Sequence, residues 1–135
     1  YESGMTVVHA EEVTGLGMPA IIAKARRIVG DGPTYLSFDV DSIDPAFAPG
    51  TGTPVAGGPS SAKILSVLRQ INQVDIVGAD VVEVAPAYDH ADITAIAGST
   101  VAMHYLGLLA ERKARLEELN SGNNVVAALN QASGI

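Results

Sequence analysis

Cysteine and tryptophan are absent from the 135 residues. The lack of cysteine excludes a disulfide framework and any thiolate metal site, and it suits a reducing compartment such as the cytoplasm. Aromatic residues make up only 4%, so Val, Ile, Leu and Ala must fill the core. Basic residues are also few: 8 Lys+Arg stand against 15 Asp+Glu, for a formal net charge of −7. That balance argues against a nucleic-acid surface, whose phosphates need clustered Lys and Arg. It is compatible with a cationic substrate or a metal ion, although acidity of this size also serves plain solubility. No run of about 18 apolar residues stands out, so the sequence leads us to expect no membrane span and no secretory leader.

What is present is a folding composition, with 47% hydrophobic and 17% charged residues. Met5 to Val8 is a short β-branched run that predicts a strand. Ile21, Ile22, Ala25, Ile28 and Val29 recur at helical spacing and predict a helix over Pro19–Val29, closed by Gly30-Asp-Gly-Pro33. Lys24–Arg27 read as its solvated side, as Arg112–Arg115 do farther along the chain. Tyr35–Val40 predicts a second strand. A long loop follows to about Ser60, punctuated by four prolines and four glycines (Pro45, Pro49, Pro54, Pro59; Gly50, Gly52, Gly57, Gly58). Loops of this length are more often functional than idle.

Ser60 or Ser61 caps a helix bearing Ile64, Leu65, Val67, Leu68 and Ile71. Val74–Val77 and Ala79–Val84 read as strand segments broken at Gly78. A loop over Ala85–Asp92 leads into a long helix, Ile93 to Leu119, whose Glu111 and Arg115 are spaced for an i,i+4 pair. Residues 1–119 thus form one unit, and 120–135 read as a polar, partly ordered tail. Strand and helix alternate, which predicts an α/β fold with a parallel sheet. Ligands of such sheets sit beyond the carboxyl ends of the strands, where Asp39, Asp41 and Glu83 fall.

Asp39 and Asp41 lie at a predicted strand end, where a turn lets both carboxylates converge. Two ionised carboxylates that close repel each other, and a divalent cation is their usual partner. Oxygen donors favour manganese, magnesium or calcium. Alone, Asp-x-Asp is a weak pattern, found also in solvated loops and in metal-dependent glycosyltransferases. Asp44 precedes a proline and reads as a turn builder. His9 and His104 read as structural. His90 sits in the loop after the Glu83 strand, as an entrance residue or, more conservatively, as surface.

The context makes the pattern specific. The run Ser37-Phe-Asp-Val-Asp-Ser-Ile-Asp-Pro-Ala-Phe-Ala-Pro-Gly-Thr-Gly-Thr-Pro54 resembles the signature of the arginase/agmatinase (ureohydrolase) family. Val77–Thr94 is similar to that family's matching downstream segment in agmatinase-like members. The resemblance covers roughly Gly15 to Arg115. It implies a three-layer α/β/α sandwich around a parallel sheet, two Mn2+ ions in a complete active site, and hydrolysis of a guanidino compound to urea and an amine. Under it, Asp39 matches a bridging metal ligand, Asp41 a ligand of one metal, and Glu83 the carboxylate that grips the guanidinium. A homo-oligomer is implied when the enzyme is complete.

The family's Gly-Gly-Asp-His and Asp-Ala-His-x-Asp segments, which carry its other ligands, do not occur in this sequence. The sequence, which starts at Tyr1, is therefore expected to hold only the C-terminal part of such an enzyme. Agmatine is the favoured substrate, ahead of guanidinobutyrate, a proclavaminate precursor or arginine. A non-catalytic remnant or oligomerisation module is the competing reading.

Overall fold

The computed structural model describes residues 3–133, leaving aside the side chains of residues 10, 11, 14 and 123–133. Two helices open the chain, α1 (Ala10–Leu16) and α2 (Met18–Val29). The His9 amide donates to Glu12 Oε2 at 3.0 Å and closes the first turn of α1. Lys24 of α2 reaches Glu12 Oε1 at 3.2 Å, so Lys24 joins the two helices instead of lying on a purely solvated face. The strand expected over Met5–Val8 does not form. Met5 and Val7 are exposed, and no ladder partner reaches them among the described residues. A β-branched run becomes a strand only where an edge is available to pair with it.

The sheet is a parallel pair, β1 (Thr34–Asp39) and β2 (Ile76–Val82). Along β1, Leu36 and Phe38 turn toward the core while Tyr35 and Ser37 face out, which is the period-2 pattern of a half-buried strand. The segments read as broken at Gly78 are one strand with an irregularity: Thr34 pairs with Ile76, but Tyr35 pairs with Gly78. A Cβ at Gly78 would lie 3.0 Å from the Tyr35 ring. The glycine therefore marks a bulge beneath the outward-facing Tyr35 ring and not a break. Tyr35 Oη donates across the pair to Asp80 Oδ2 at 3.0 Å.

The crossover carries α3 (Ser61–Gln70), whose N-cap is Ser60, with Oγ accepting from the Lys63 amide. α4 begins at Ile93 and runs to Ser133. It thus continues past Leu119 through much of the stretch read as a tail, while residues 134 and 135 lie outside the described residues. Ile43, Ala48, Ile64, Leu68, Ile76, Val101, Tyr105 and Leu108 form the core between α4, α3, β2 and the loop after β1.

Arg112 and Arg115 are not merely solvated. Arg112 makes a two-pronged contact with Asp75, and Arg115 Nη1 donates to the Asn72 carbonyl at 2.9 Å. Together they pin α4 to the turn before β2. The expected Glu111–Arg115 pair gives way to this contact. Within Ile93–Gly122 the helix is long and apolar enough to cross a membrane, by length and composition, with a mean hydropathy of 1.5 over its 18-residue apolar window. The sequence predicts no membrane span. Its Val101, Tyr105 and Leu108 are core residues here, while 22% of that window is buried.

Candidate active site

The end of β1 is built by Asp39 itself. Its backbone is still extended (φ −94°, ψ 121°), and a 3-10 turn, Val40–Ser42, starts at the next residue. Asp39 Oδ1 accepts from the Asp41 amide at 3.0 Å, and Ser42 Oγ donates back to the Asp39 carbonyl at 2.7 Å. Fully buried Val40 anchors the turn from beneath. The turn sets Asp41 close enough for its charge to act on the Asp39 carboxyl. Partial burial pushes the Asp39 carboxyl above its ordinary range. The amide bond from Asp41 opposes that shift, and the neighbouring Asp41 charge adds to it.

Thr53 Oγ1 donates to Asp41 Oδ2 at 2.8 Å and fixes that side chain. Asp44 takes the turn-building role: Oδ1 accepts from Ala46 N at 2.9 Å and Oδ2 from Gly57 N at 2.8 Å. These bonds hold its carboxyl below the usual range.

The second arm leaves the end of β2. Val82 is the register partner of Asp39, so Glu83, the next residue, departs from the same edge of the sheet. Glu83 is exposed and adopts φ 64°. A left-handed backbone in a residue with a Cβ costs about 1–3 kcal/mol and persists only where surroundings impose it. The surroundings here centre on Gly50. Its carbonyl accepts from Ala85 N at 2.8 Å, and its amide donates to Thr94 Oγ1 at 2.6 Å.

A Cβ on Gly50 would sit 2.5 Å from Asp89 Cβ and 2.8 Å from Asp89 Cα, so only glycine fits. The Asp89 carboxylate receives the amides of His90, Thr94 and Ala95, each at 3.0 Å, and so caps α4. Burial works to raise the Asp89 pKa. The amides of Thr94 and Ala95, the Thr94 hydroxyl and the His90 amide outweigh it and hold the carboxyl below the usual range. His90 is exposed, and its backbone alone is engaged: the amide donates to Asp89 and the carbonyl accepts from Ile93 N at 3.3 Å. Its imidazole has no hydrogen bond among the described residues.

Asp39 and Asp41 suit a hard divalent cation: they are adjacent, acidic, and mutually repulsive without a counter-charge. They fit as part of a donor set and not as a whole one. Among the described residues no group of three or more His, Cys, Asp or Glu side chains could hold a metal ion. Thr51 Oγ1, in the same loop, is buried without a hydrogen-bond partner among the described residues, so this loop has unused polar capacity toward its interior side. An apolar cavity of about 320 Å³ lies elsewhere, lined by Ile43, Phe47, Ile64 and Ile96, and none of Asp39, Asp41, Glu83 or His90 reaches it.

Sequence reasoning missed Thr53, Thr94 and Asp89. The signals were present, an Asp five residues ahead of a Thr at a helix start and a Thr in a Gly-Thr-Gly-Thr run. The partners of Thr94 and Thr53, however, lie 44 positions (Gly50–Thr94) and 12 positions (Asp41–Thr53) away in sequence.

An α/β protein whose parallel strands end in an acidic cluster belongs to the class that binds its ligand at the carboxyl edge of the sheet. The Arginase family model matches residues 1–107. The chain belongs to the arginase family. It is 54% identical to guanidinopropionase from Pseudomonas aeruginosa over 84% of its own length, and 51% identical to agmatinase from Cronobacter sakazakii over 83%. It spans 36% and 37% of those two relatives.

Among solved structures it is similar to a hypothetical agmatinase from Burkholderia thailandensis, with a TM-score of 0.77 and 54% identity. That match covers 82% of this chain and 36% of the other. It is also similar to proclavaminate amidino hydrolase from Streptomyces clavuligerus, with a TM-score of 0.78 and 42% identity, over 82% and 38%. The parallel α/β architecture expected from the sequence is the architecture of these neighbours.

Proposed function

We propose that this chain supplies the strand-end carboxylates of a manganese-dependent ureohydrolase that cleaves agmatine to urea and an amine. The observation that carries the reading is the joint departure of Asp39, Asp41 and Glu83 from one edge of the β1–β2 pair. Asp39 and Asp41 would hold metal, with the remaining donors coming from outside these residues. Bound divalent metal would supply a nucleophile at neutral pH.

Glu83 meets the planar guanidinium, for which a carboxylate offers two parallel hydrogen bonds. It orients the carbon and balances the cation. Water oxygen adds to that carbon, the bond from carbon to the substituted nitrogen breaks, and both protons of the attacking water end on the departing nitrogen, giving urea and an alkylammonium. His90, at the loop that follows, stands at the entrance. Whole-enzyme assembly as a homo-oligomer belongs to the same reading.

Guanidinopropionate is a second reading, favoured by the 54% identity to a guanidinopropionase. The two substrates differ at the far end, an ammonium in one and a carboxylate in the other. The net charge of −7 favours the ammonium.

The test is urea release with Mn2+ by the chain alone and by a graft in which it replaces the matching segment of the Pseudomonas aeruginosa enzyme. Agmatine, 3-guanidinopropionate, 4-guanidinobutyrate and arginine would be compared. Urea from the graft that vanishes in Asp39→Asn is the expected result. A graft that folds and binds Mn2+ yet releases no urea from any of the four would refute the proposal.

A further inference from the structure

The two arms of the proposed site belong to different parts of the chain, and one buried residue joins them. Gly50 sits in the loop that carries Asp41 and Thr53, and its carbonyl receives the Ala85 amide two residues after Glu83. The amide of Gly50 is held in turn by Thr94 Oγ1, a side chain with 0% exposure at the start of α4. Thr94 is itself seated by Asp89, whose carboxylate takes the Thr94 amide and whose backbone lies against Gly50 with no room for a Cβ. Glu83, in a backbone conformation that residues with a Cβ avoid, lies between the end of β2 and this clasp.

Strand geometry favours an extended Glu83. The bond from Ala85 to Gly50 requires the chain to turn before it arrives. We infer that Thr94, seated by Asp89, is a positioning residue: by locking Gly50 it imposes the left-handed turn at Glu83 and so aims that carboxylate relative to the Asp39–Asp41 loop. Thr94 does not touch substrate in this scheme and acts only through Gly50 and Ala85. The structural part stands on the hydrogen bonds above. The link to guanidinium binding rests on the proposed function.

The experiment compares the full chain with Thr94→Val and Thr94→Ser by NMR. Valine keeps the shape and loses the hydroxyl, and serine keeps the hydroxyl. The Glu83 amide–Hα coupling and its Cα and Cβ shifts report the sign of φ, and hydrogen exchange at Gly50 and Ala85 reports the clasp. Exchange at Leu36 and Ala79 reports the β1–β2 pair. Agmatine affinity of the Mn2+-loaded graft carrying the same substitutions reports aim.

In Thr94→Val we expect Glu83 to lose its left-handed signature, the clasp amides to exchange faster, and agmatine affinity to fall about tenfold, roughly the effect of one lost hydrogen bond. The β1–β2 amides stay protected, and Thr94→Ser behaves as wild type. A left-handed Glu83 retained in Thr94→Val overturns the assignment, as does an equal loss in Thr94→Ser. If Thr94→Val loses protection throughout, Asp89→Asn decides: a loosened Glu83 turn with intact β1–β2 protection supports the clasp, and an unchanged turn overturns it. A wild-type graft that folds and binds Mn2+ yet shows no agmatine response would sink the guanidinium role of Glu83 and leave the clasp standing.

Discussion

Thr53 and Gly50 show how single side chains, or the lack of one, hold the loop after β1. The hydroxyl of Thr53 is the side-chain donor that fixes Asp41. Outer partners of this kind orient a ligating carboxylate, and their loss weakens metal binding about 10- to 100-fold. In a grafted enzyme, Thr53→Val should weaken Mn2+ by about that factor, read by titrating the free-ion EPR signal, whereas Thr53→Ser should stay near wild type. At Gly50 a methyl group would meet both the side chain and the backbone of Asp89 inside van der Waals contact. Gly50→Ala is therefore expected to destabilise the chain by about 1–3 kcal/mol, the usual cost of overpacking, as a lowered midpoint in urea denaturation. Asp39 and Asp41 were legible as a pair because their context in the chain is continuous. Thr94 was not, because its significance depends on Gly50, which lies far from it in sequence.

At the scale of elements, α4 is fastened at two places, and both fastenings depend on ionised carboxylates. Asp89 caps its start, and Asp75 grips Arg112 farther along. The Arg112 hydrogen bond holds the Asp75 carboxyl below its ordinary range, as the helix-start amides do for Asp89 once they overcome its burial. A carboxylate depressed in the fold contributes its full stability above the unfolded-chain value of 3.8. That contribution is lost as pH falls from there through the lower folded value. Thermal melting should hold steady near neutrality and drop below about pH 4, and Asp75→Asn should flatten the drop while lowering the plateau. An unchanged acid limb in that variant would show that the Arg112 contact does not hold α4. The helical periods of α2, α3 and the first half of α4 were readable because they depend on local spacing. The fate of Met5–Val8 was not, since a strand needs a neighbour and no local signal announces one.

At the scale of the molecule, much apolar surface lies in the open. Ile96, Met103 and Leu106 of α4 are 61%, 66% and 60% exposed, and the two-stranded sheet has an unpaired edge on each side among the described residues. Open edges and an apolar stripe both invite pairing with another copy. The isolated chain is expected to show a mass that rises with concentration in sizing chromatography with light scattering, and Met103→Glu with Leu106→Glu should shift it toward monomer. A sharp monomer at high concentration in the unaltered chain would contradict this.

By itself, the sequence determined the alternation of strand and helix, the acidic strand end at Asp39–Asp41 and the resemblance to one family, because each is written in residues close together along the chain. Only the tertiary structure decided that Glu83 turns left-handed, that Gly50 joins the two arms, and that Arg112 is a fastening and not a solvated charge. Those features exist only between residues that folding brings together, and their strength comes from burial and geometry that no local pattern encodes.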